Sequence, residues 1–214
     1  MKLYNYFRST SSYRVRIACN LKGLSYEYIP VHLNRNGGEQ FAADFSSLNP
    51  QQLVPLLIDG TSLISQSLAI IEYLDECYPD AALLPAASID RVRVRQLSQY
   101  IACEMHPLNN LRVLKYLTGP LQLSIERKQA WTVHWLRTGL EALERELDGS
   151  ATRGKFCFGN TPTMADCCLV PQLYSARRFG VDVDAYPALR AIDAECQTLD
   201  AFQAAHPDRQ PDAE

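Results

Sequence analysis

The sequence predicts a small α/β sheet domain followed by an all-helical domain. Three observations carry this. Over the first 77 residues, short β-like runs and two helical patterns follow one another in the order β-α-β and then β-β-α. From Ile89 onward every long pattern is helical. Between them, Tyr78 to Ser88, with Pro79 and Pro85, has the composition of a connector. The domains are therefore expected at residues 1–82 and 83–214.

A chain of 214 residues suits two small domains, each with its own core. Its 47% hydrophobic and 21% charged residues are ordinary for a globular protein. No apolar run reaches membrane-spanning length and the N-terminus lacks a signal pattern, so a cytoplasmic protein with no membrane partner is expected. A net charge of −3 argues against a nucleic-acid partner. The seven cysteines are odd in number, scattered and without C-x-x-C spacing. They read as buried small hydrophobes in a reducing compartment, not as disulfides or a zinc site. His32, His106, His134 and His206 show no ligand spacing, so no metal is expected.

The first domain unfolds in order. Leu3 to Phe7 is a β-like run, and Val15, Ile17, Ala18 and Leu21 give the next helix its apolar face, with Gly23 at C′. Between them stand Arg8 and four hydroxyl residues, Ser9, Thr10, Ser11 and Ser12. These either only cap the helix or also form, with its N–H groups and Arg8, a site for an anion such as a thiolate. Tyr26 to Val31 reads as a second strand, Asn34 to Gly38 as a polar loop and Glu39 to Phe45 as at most a short helix. Leu56-Leu57-Ile58 ends an apolar strand, Asp59-Gly60 suits a two-residue hairpin turn, and Thr61 to Ile64 returns. Gln66 to Cys77 is an amphipathic helix. The result is one parallel crossover plus a hairpin, a sheet of about four strands.

Two short stretches have two readings each. Pro55 either opens a strand in the ordinary trans form or follows a cis bond that turns the Val54 N–H and C=O toward a peptide-like ligand. Ser65-Gln66-Ser67 either caps its helix or holds a carboxylate at the free N–H groups.

In the second half, Val94, Leu97, Ile101, Met105 and Leu108 keep helical spacing, with a bend expected at Pro107. Thr118-Gly119-Pro120 punctuates, and Leu136, Leu140, Leu143 and Leu147 mark a helix ended by Asp148-Gly149. Thr163 with Asp166 resembles a capping box ahead of the apolar Cys167-Cys168-Leu169-Val170, which predicts a central buried helix. Arg177 and Arg178 follow on the same helix, either solvated or with one reaching a cleft. Residues 205–211 have no periodicity and are expected as an extended surface arm.

The element order resembles the cytosolic glutathione transferase fold, a thioredoxin-like βαβ-ββα domain followed by an all-α domain. The motifs are similar to those of the zeta class, the maleylacetoacetate and maleylpyruvate isomerases. They are Phe7-Arg8-Ser9-Thr10-Ser11-Ser12-Tyr13-Arg14, Asn49-Pro50 with Val54-Pro55, Gln66-Ser67-Leu68-Ala69-Ile70-Ile71-Glu72, Thr163-Met164-Ala165-Asp166 and His206 to Asp212. They span essentially the whole chain. One departure stands out. The family's Ser-Ser-Cys-x-Trp-Arg opening is Ser9-Thr10-Ser11-Ser12-Tyr13-Arg14 here, with Ser11 at the cysteine position, so glutathione must supply the sulfur.

The resemblance implies glutathione as cofactor, a small dicarboxylate substrate and a homodimer. It implies catalysis by Arg8, Ser9, Thr10 and Ser11, glutathione binding by Gln51, Val54, Pro55, Gln66, Ser67 and His106, and substrate binding by Arg8, Arg112 and Arg178. The implied reaction is thiolate addition to the cis alkene, rotation and expulsion as the trans isomer. A thiol of pKa about 8.5 is a few per cent ionised at neutral pH. A helix N-terminus supplies about 0.3–1 kcal/mol, at most about 2. Serine donation, with Arg8, must supply the rest. Two alternatives share the fold: a transferase that conjugates or dehalogenates small electrophiles, and a non-catalytic binding module, which would have lost the hydroxyl site.

Overall fold

The computed structural model describes residues 1–214. It comprises two units, Met1–Leu83 together with Gln197–Glu214, and Leu84–Cys196.

The first unit is built on a four-stranded sheet. In chain order it contains β1 (Lys2–Asn5), α1 (Thr10–Leu21), β2 (Glu27–Pro30), α2 (Ala43–Leu48), β3 (Leu56–Asp59), β4 (Ser62–Ser65) and α3 (Ser67–Cys77). The strand order is β2-β1-β3-β4. β1 runs parallel to β2 and antiparallel to β3, with Leu3 opposite Tyr28 on one side and Leu57 on the other. This is the crossover-plus-hairpin topology expected. Leu3, Ile17, Ala18, Leu57, Ile70 and Leu74 are fully buried and form its centre.

Local details differ from expectation for identifiable reasons. The ladder pairs Asp59 with Ser62, so the two-residue loop is Gly60-Thr61, one place later than Asp59-Gly60. Gly60 takes φ +57°, which a tight hairpin demands. The Asp59 carboxylate, freed from the turn, accepts from Tyr73 Oη at 2.9 Å. The segment from Glu39 divides into a 3₁₀ turn (Glu39–Phe41) and α2, which continues to Leu48.

The second unit is helical throughout: α4 (Ser88–Gln99), α5 (Leu111–Thr118), α6 (Ile125–Asp148), α7 (Met164–Arg178) and α8 (Pro187–Cys196). Instead of one helix bent at Pro107, α4 passes into a π turn (Tyr100–Met105) and a 3₁₀ turn (His106–Asn109). The departure begins before the proline. A Cβ at Gly139 of α6 would stand 2.4 Å from Met105 Cε, so this glycine admits the Met105 side chain of the π turn. α7 is the buried central helix predicted. The Asp166 carboxylate, with no exposure, accepts from Thr163 N–H and Thr163 Oγ1 through Oδ2 and from Cys157 N–H through Oδ1, each at 2.8 Å. Burial raises its pKa, and these bonds oppose that rise.

Residues Gln197–Glu214 belong with the first unit, not with the helical one. In place of the extended arm expected over residues 205–211, a 3₁₀ turn (Pro207–Arg209) forms, and an unanticipated short helix, α9 (Asp200–Ala205), precedes it. Phe202 and Ala205 are buried, a two-residue apolar stripe too short for periodicity to reveal. α9 packs along α1, which therefore has neighbours on both sides. That is why Arg14 and Arg16, charged residues interleaved with the apolar face, are 1% and 0% exposed. No helix is long and apolar enough to cross a membrane.

Candidate functional site

Ser9 is the N-cap of α1, and its Oγ accepts from Ser12 N–H at 3.2 Å. Ser9 Oγ and Ser11 Oγ lie 3.2 Å apart, and Ser11 Oγ donates to the Val54 carbonyl at 3.3 Å. Each hydroxyl carries one proton. With the Ser11 proton on Val54, the Ser9 proton is the one left for Ser11 or for an arriving anion. The Ser11 N–H, in the first turn, has no acceptor within the chain. Arg8 is half-buried with its guanidinium 4.8 Å above the Phe7 ring and no carboxylate partner. Capping leaves the Ser9 proton uncommitted to the backbone, because Ser9 Oγ accepts from Ser12 N–H, while Thr10 is buried at 8% exposure.

The Val54–Pro55 bond is cis. Of the two Val54 groups expected to face a ligand, the carbonyl is taken by Ser11 and the N–H has no acceptor in the chain. Asn49, 3% exposed, braces this turn by donating to Leu53 O at 2.8 Å and accepting from Gln51 N–H at 3.1 Å. Gln66 precedes α3 with φ +71° and does not cap it. Its Nε2 donates instead to Gln51 Oε1 at 2.7 Å. The N–H groups of Ser67 and Leu68 thus stay open at the positive end of α3. Beneath them Arg14 Nη1 donates to Ser67 Oγ at 3.2 Å. α1 is the shared scaffold, with Ser9 and Ser11 at its start and Arg14 under α3.

Asn49 and Arg14 were not among the expected site residues. Asn49 appeared only as a motif neighbour of Pro50. The signal for Arg14 was a charge one residue ahead of the apolar Val15 on a helix with an apolar face.

The remaining candidates lie in the second unit. Arg112 is exposed in the first turn of α5, and its side chain has no ion pair. Arg178, at the end of α7, is exposed, rests 5.2 Å from the Phe179 ring and has no carboxylate partner. Its neighbour Arg177 is committed to Asp193 at 2.7 Å. His106 is half-buried in the 3₁₀ turn after α4.

A family model described as the glutathione S-transferase N-terminal domain matches residues 1–76, and one for the C-terminal domain matches residues 130–192. A maleylpyruvate isomerase from Ralstonia is 50% identical over 213 residues, covering 100% of both chains. A maleylacetoacetate isomerase from Methylobacterium extorquens, solved with malonate and glutathione bound, has TM-score 0.96 and 41% identity over 100% of both chains. One from Anaeromyxobacter dehalogenans, solved with dicarboxyethyl glutathione and citrate in its active site, has TM-score 0.86 and 42% identity over 100% of this chain and 97% of that one. The chain belongs to the glutathione transferase family, in its zeta class of maleylpyruvate and maleylacetoacetate isomerases.

Proposed function

We propose that this chain is a glutathione-dependent cis–trans isomerase that converts maleylpyruvate, or the homologous maleylacetoacetate, to the fumaryl isomer. The observation that carries the reading is the set of uncommitted donors at the start of α1: the Ser9 hydroxyl proton, the Ser11 N–H and the helix end, beside an unpaired Arg8. They suit a thiolate, and position 11 carries a hydroxyl, so the sulfur comes from glutathione. Glutathione fits the first unit. The open Ser67 and Leu68 N–H groups over Arg14 suit its γ-glutamyl carboxylate, with Gln66 and Gln51 beside it. The Val54 N–H suits its cysteinyl carbonyl, and His106 is assigned to the same ligand from the family pattern. Bound there, glutathione supplies the thiolate that adds to the cis alkene, lets the former double bond rotate and leaves again.

The chain's own residues hold and stabilise charge. Ser9 donates to the sulfur and keeps it anionic. Ser11 holds Val54 in place and is not a nucleophile, since no base contacts it. Arg8 stabilises the negative charge that develops at the substrate ketone oxygen. Arg112 and Arg178, with no carboxylate of their own, take the substrate carboxylates. A homodimer is part of this reading, supported by apolar side chains left exposed on each unit, Leu63 at 49% and Ile89 at 61%. A monomeric mass at micromolar concentration overturns it. A cytoplasmic location agrees with seven free cysteines. The decisive assay offers maleylpyruvate and maleylacetoacetate separately, with and without glutathione. Turnover of one or both only with glutathione supports the proposal, and a stable glutathione conjugate as product overturns it.

A further inference from the structure

We infer that Asp212, beyond α9, is a positioning residue for the site, fixing the turn that carries Arg8 and Ser9. The inference rests on the reading of Ser9 and Arg8 given above. Asp212 Oδ2 accepts from Phe7 N–H at 3.1 Å, and its Oδ1 accepts from Tyr28 Oη. On the other side of the same residue, the Phe7 carbonyl accepts from Arg16 Nη2 at 3.0 Å. The Tyr6 carbonyl accepts from Ser9 N–H at 3.0 Å and from Arg16 Nη1 at 3.4 Å. Both backbone polar groups of Phe7 are thus clamped within two residues of Ser9. Phe7 is 1% exposed, and its ring is the surface on which Arg8 rests. A shift of Phe7 therefore moves both Arg8 and Ser9.

Asp212 is itself held. Arg16 Nε donates to Ala205 O at 3.0 Å and Asn20 Nδ2 to Ala201 O at 2.9 Å, docking α9 on α1. Gln210 Nε2 donates to Ala204 O and His206 O at 2.9 and 2.8 Å, folding the following residues back onto α9. Arg16 has no exposure and contacts only neutral oxygens directly; burial lowers its pKa, and Asp212 is among the nearby groups that weakly oppose this. Burial and the bond to Asp212 push the Tyr28 hydroxyl pKa up, so it remains a donor. Glu214 makes a second contact, with exposed Arg35 and with buried His32 at 3.3 Å, and neither bonds to Phe7 or Asp212.

Asp212→Asn tests this, because the amide keeps the shape but removes the charge, so Phe7 N–H and Tyr28 Oη are left with weaker neutral bonds, the latter only with its donor and acceptor roles reversed. In the ligand-free protein, amide exchange at Phe7 should rise by about tenfold or more. With glutathione bound, the ultraviolet thiolate band should titrate at higher pH, and kcat should fall on the order of tenfold while substrate KM stays within about twofold. Tyr28→Phe, which leaves the Phe7 bond, should move each readout in the same direction by less. It carries the test if Asp212→Asn does not fold. Unchanged Phe7 exchange, thiolate titration and kcat, with only a lower melting temperature, overturn the inference. If the wild-type protein shows no thiolate band, the glutathione reading fails instead, and Phe7 exchange still decides the role of Asp212.

Discussion

Replacing Ser9 by alanine removes a partly exposed hydroxyl proton at the α1 end that is not committed to the backbone; Ser12, with no exposure, cannot replace it. Ser11 spends its proton on Val54 O at 3.3 Å, and Ser9 has only the 3.2 Å contact to Ser11 competing for its own. A hydrogen bond to a charged group is worth about 1.5–3 kcal/mol, or about one to two pKa units. The helix end alone supplies about 0.3–1 kcal/mol. In Ser9→Ala the bound thiol should therefore titrate about one to two units higher, at about 8 instead of roughly 6–7, leaving roughly 5- to 20-fold less thiolate at pH 7 and lowering kcat on that scale. Loss of the cap to Ser12 N–H should cost about 1 kcal/mol of stability besides. Ser11→Ala should act in the opposite sense, because it breaks one long neutral bond and frees the Ser9 proton. Its thiolate pKa should stay level or fall, and isomerisation should persist. Ultraviolet titration of bound glutathione reads both. An inactive Ser11→Ala beside a Ser9→Ala of near wild-type pKa would refute the proton assignment.

Arg178→Ala should raise substrate KM roughly tenfold, the value of one charge-assisted bond of about 1.4 kcal/mol, with glutathione affinity unchanged. Arg177→Ala should leave KM alone, since that residue is paired with Asp193. Equal effects from the two would remove the basis for choosing between them. Asp166→Ala strands two N–H groups and a hydroxyl in a site with no exposure, and should cost about 3–5 kcal/mol, seen as a lower urea midpoint. Only Cys77 and Cys103 are exposed, while burial pushes the Cys19 thiol up to about 12 and raises Cys157 and Cys196 as well. A thiol reagent should therefore label two cysteines quickly in the native protein and all seven after denaturation. A third fast thiol contradicts the burial of Cys19, Cys157, Cys167, Cys168 or Cys196.

What the sequence revealed was whatever is written locally. Proline and glycine placed the strand ends, the hydroxyl run placed the start of α1, and Thr163 with Asp166 placed the start of α7. The hidden part depends on partners far along the chain. Arg16 looks like a solvent-facing helix residue until Ala205, 189 positions later, supplies one of its acceptors. Arg14 likewise acquires its role from Ser67, and the Val54 carbonyl loses its expected one to Ser11. The isomer of Val54–Pro55 had no local signature, because an X–Pro bond takes either form at little cost. α9 escaped notice because six residues give too few turns for a period.

The central claim is that glutathione is used and returned. Proton NMR of a maleylpyruvate or maleylacetoacetate solution holding enzyme and about one-hundredth as much glutathione tests it directly. The account predicts complete conversion of the cis alkene signal to trans over roughly a hundred turnovers per glutathione, with the glutathione signals unchanged at the end. Conversion that stops after one equivalent, with glutathione bound in a thioether product, would contradict it.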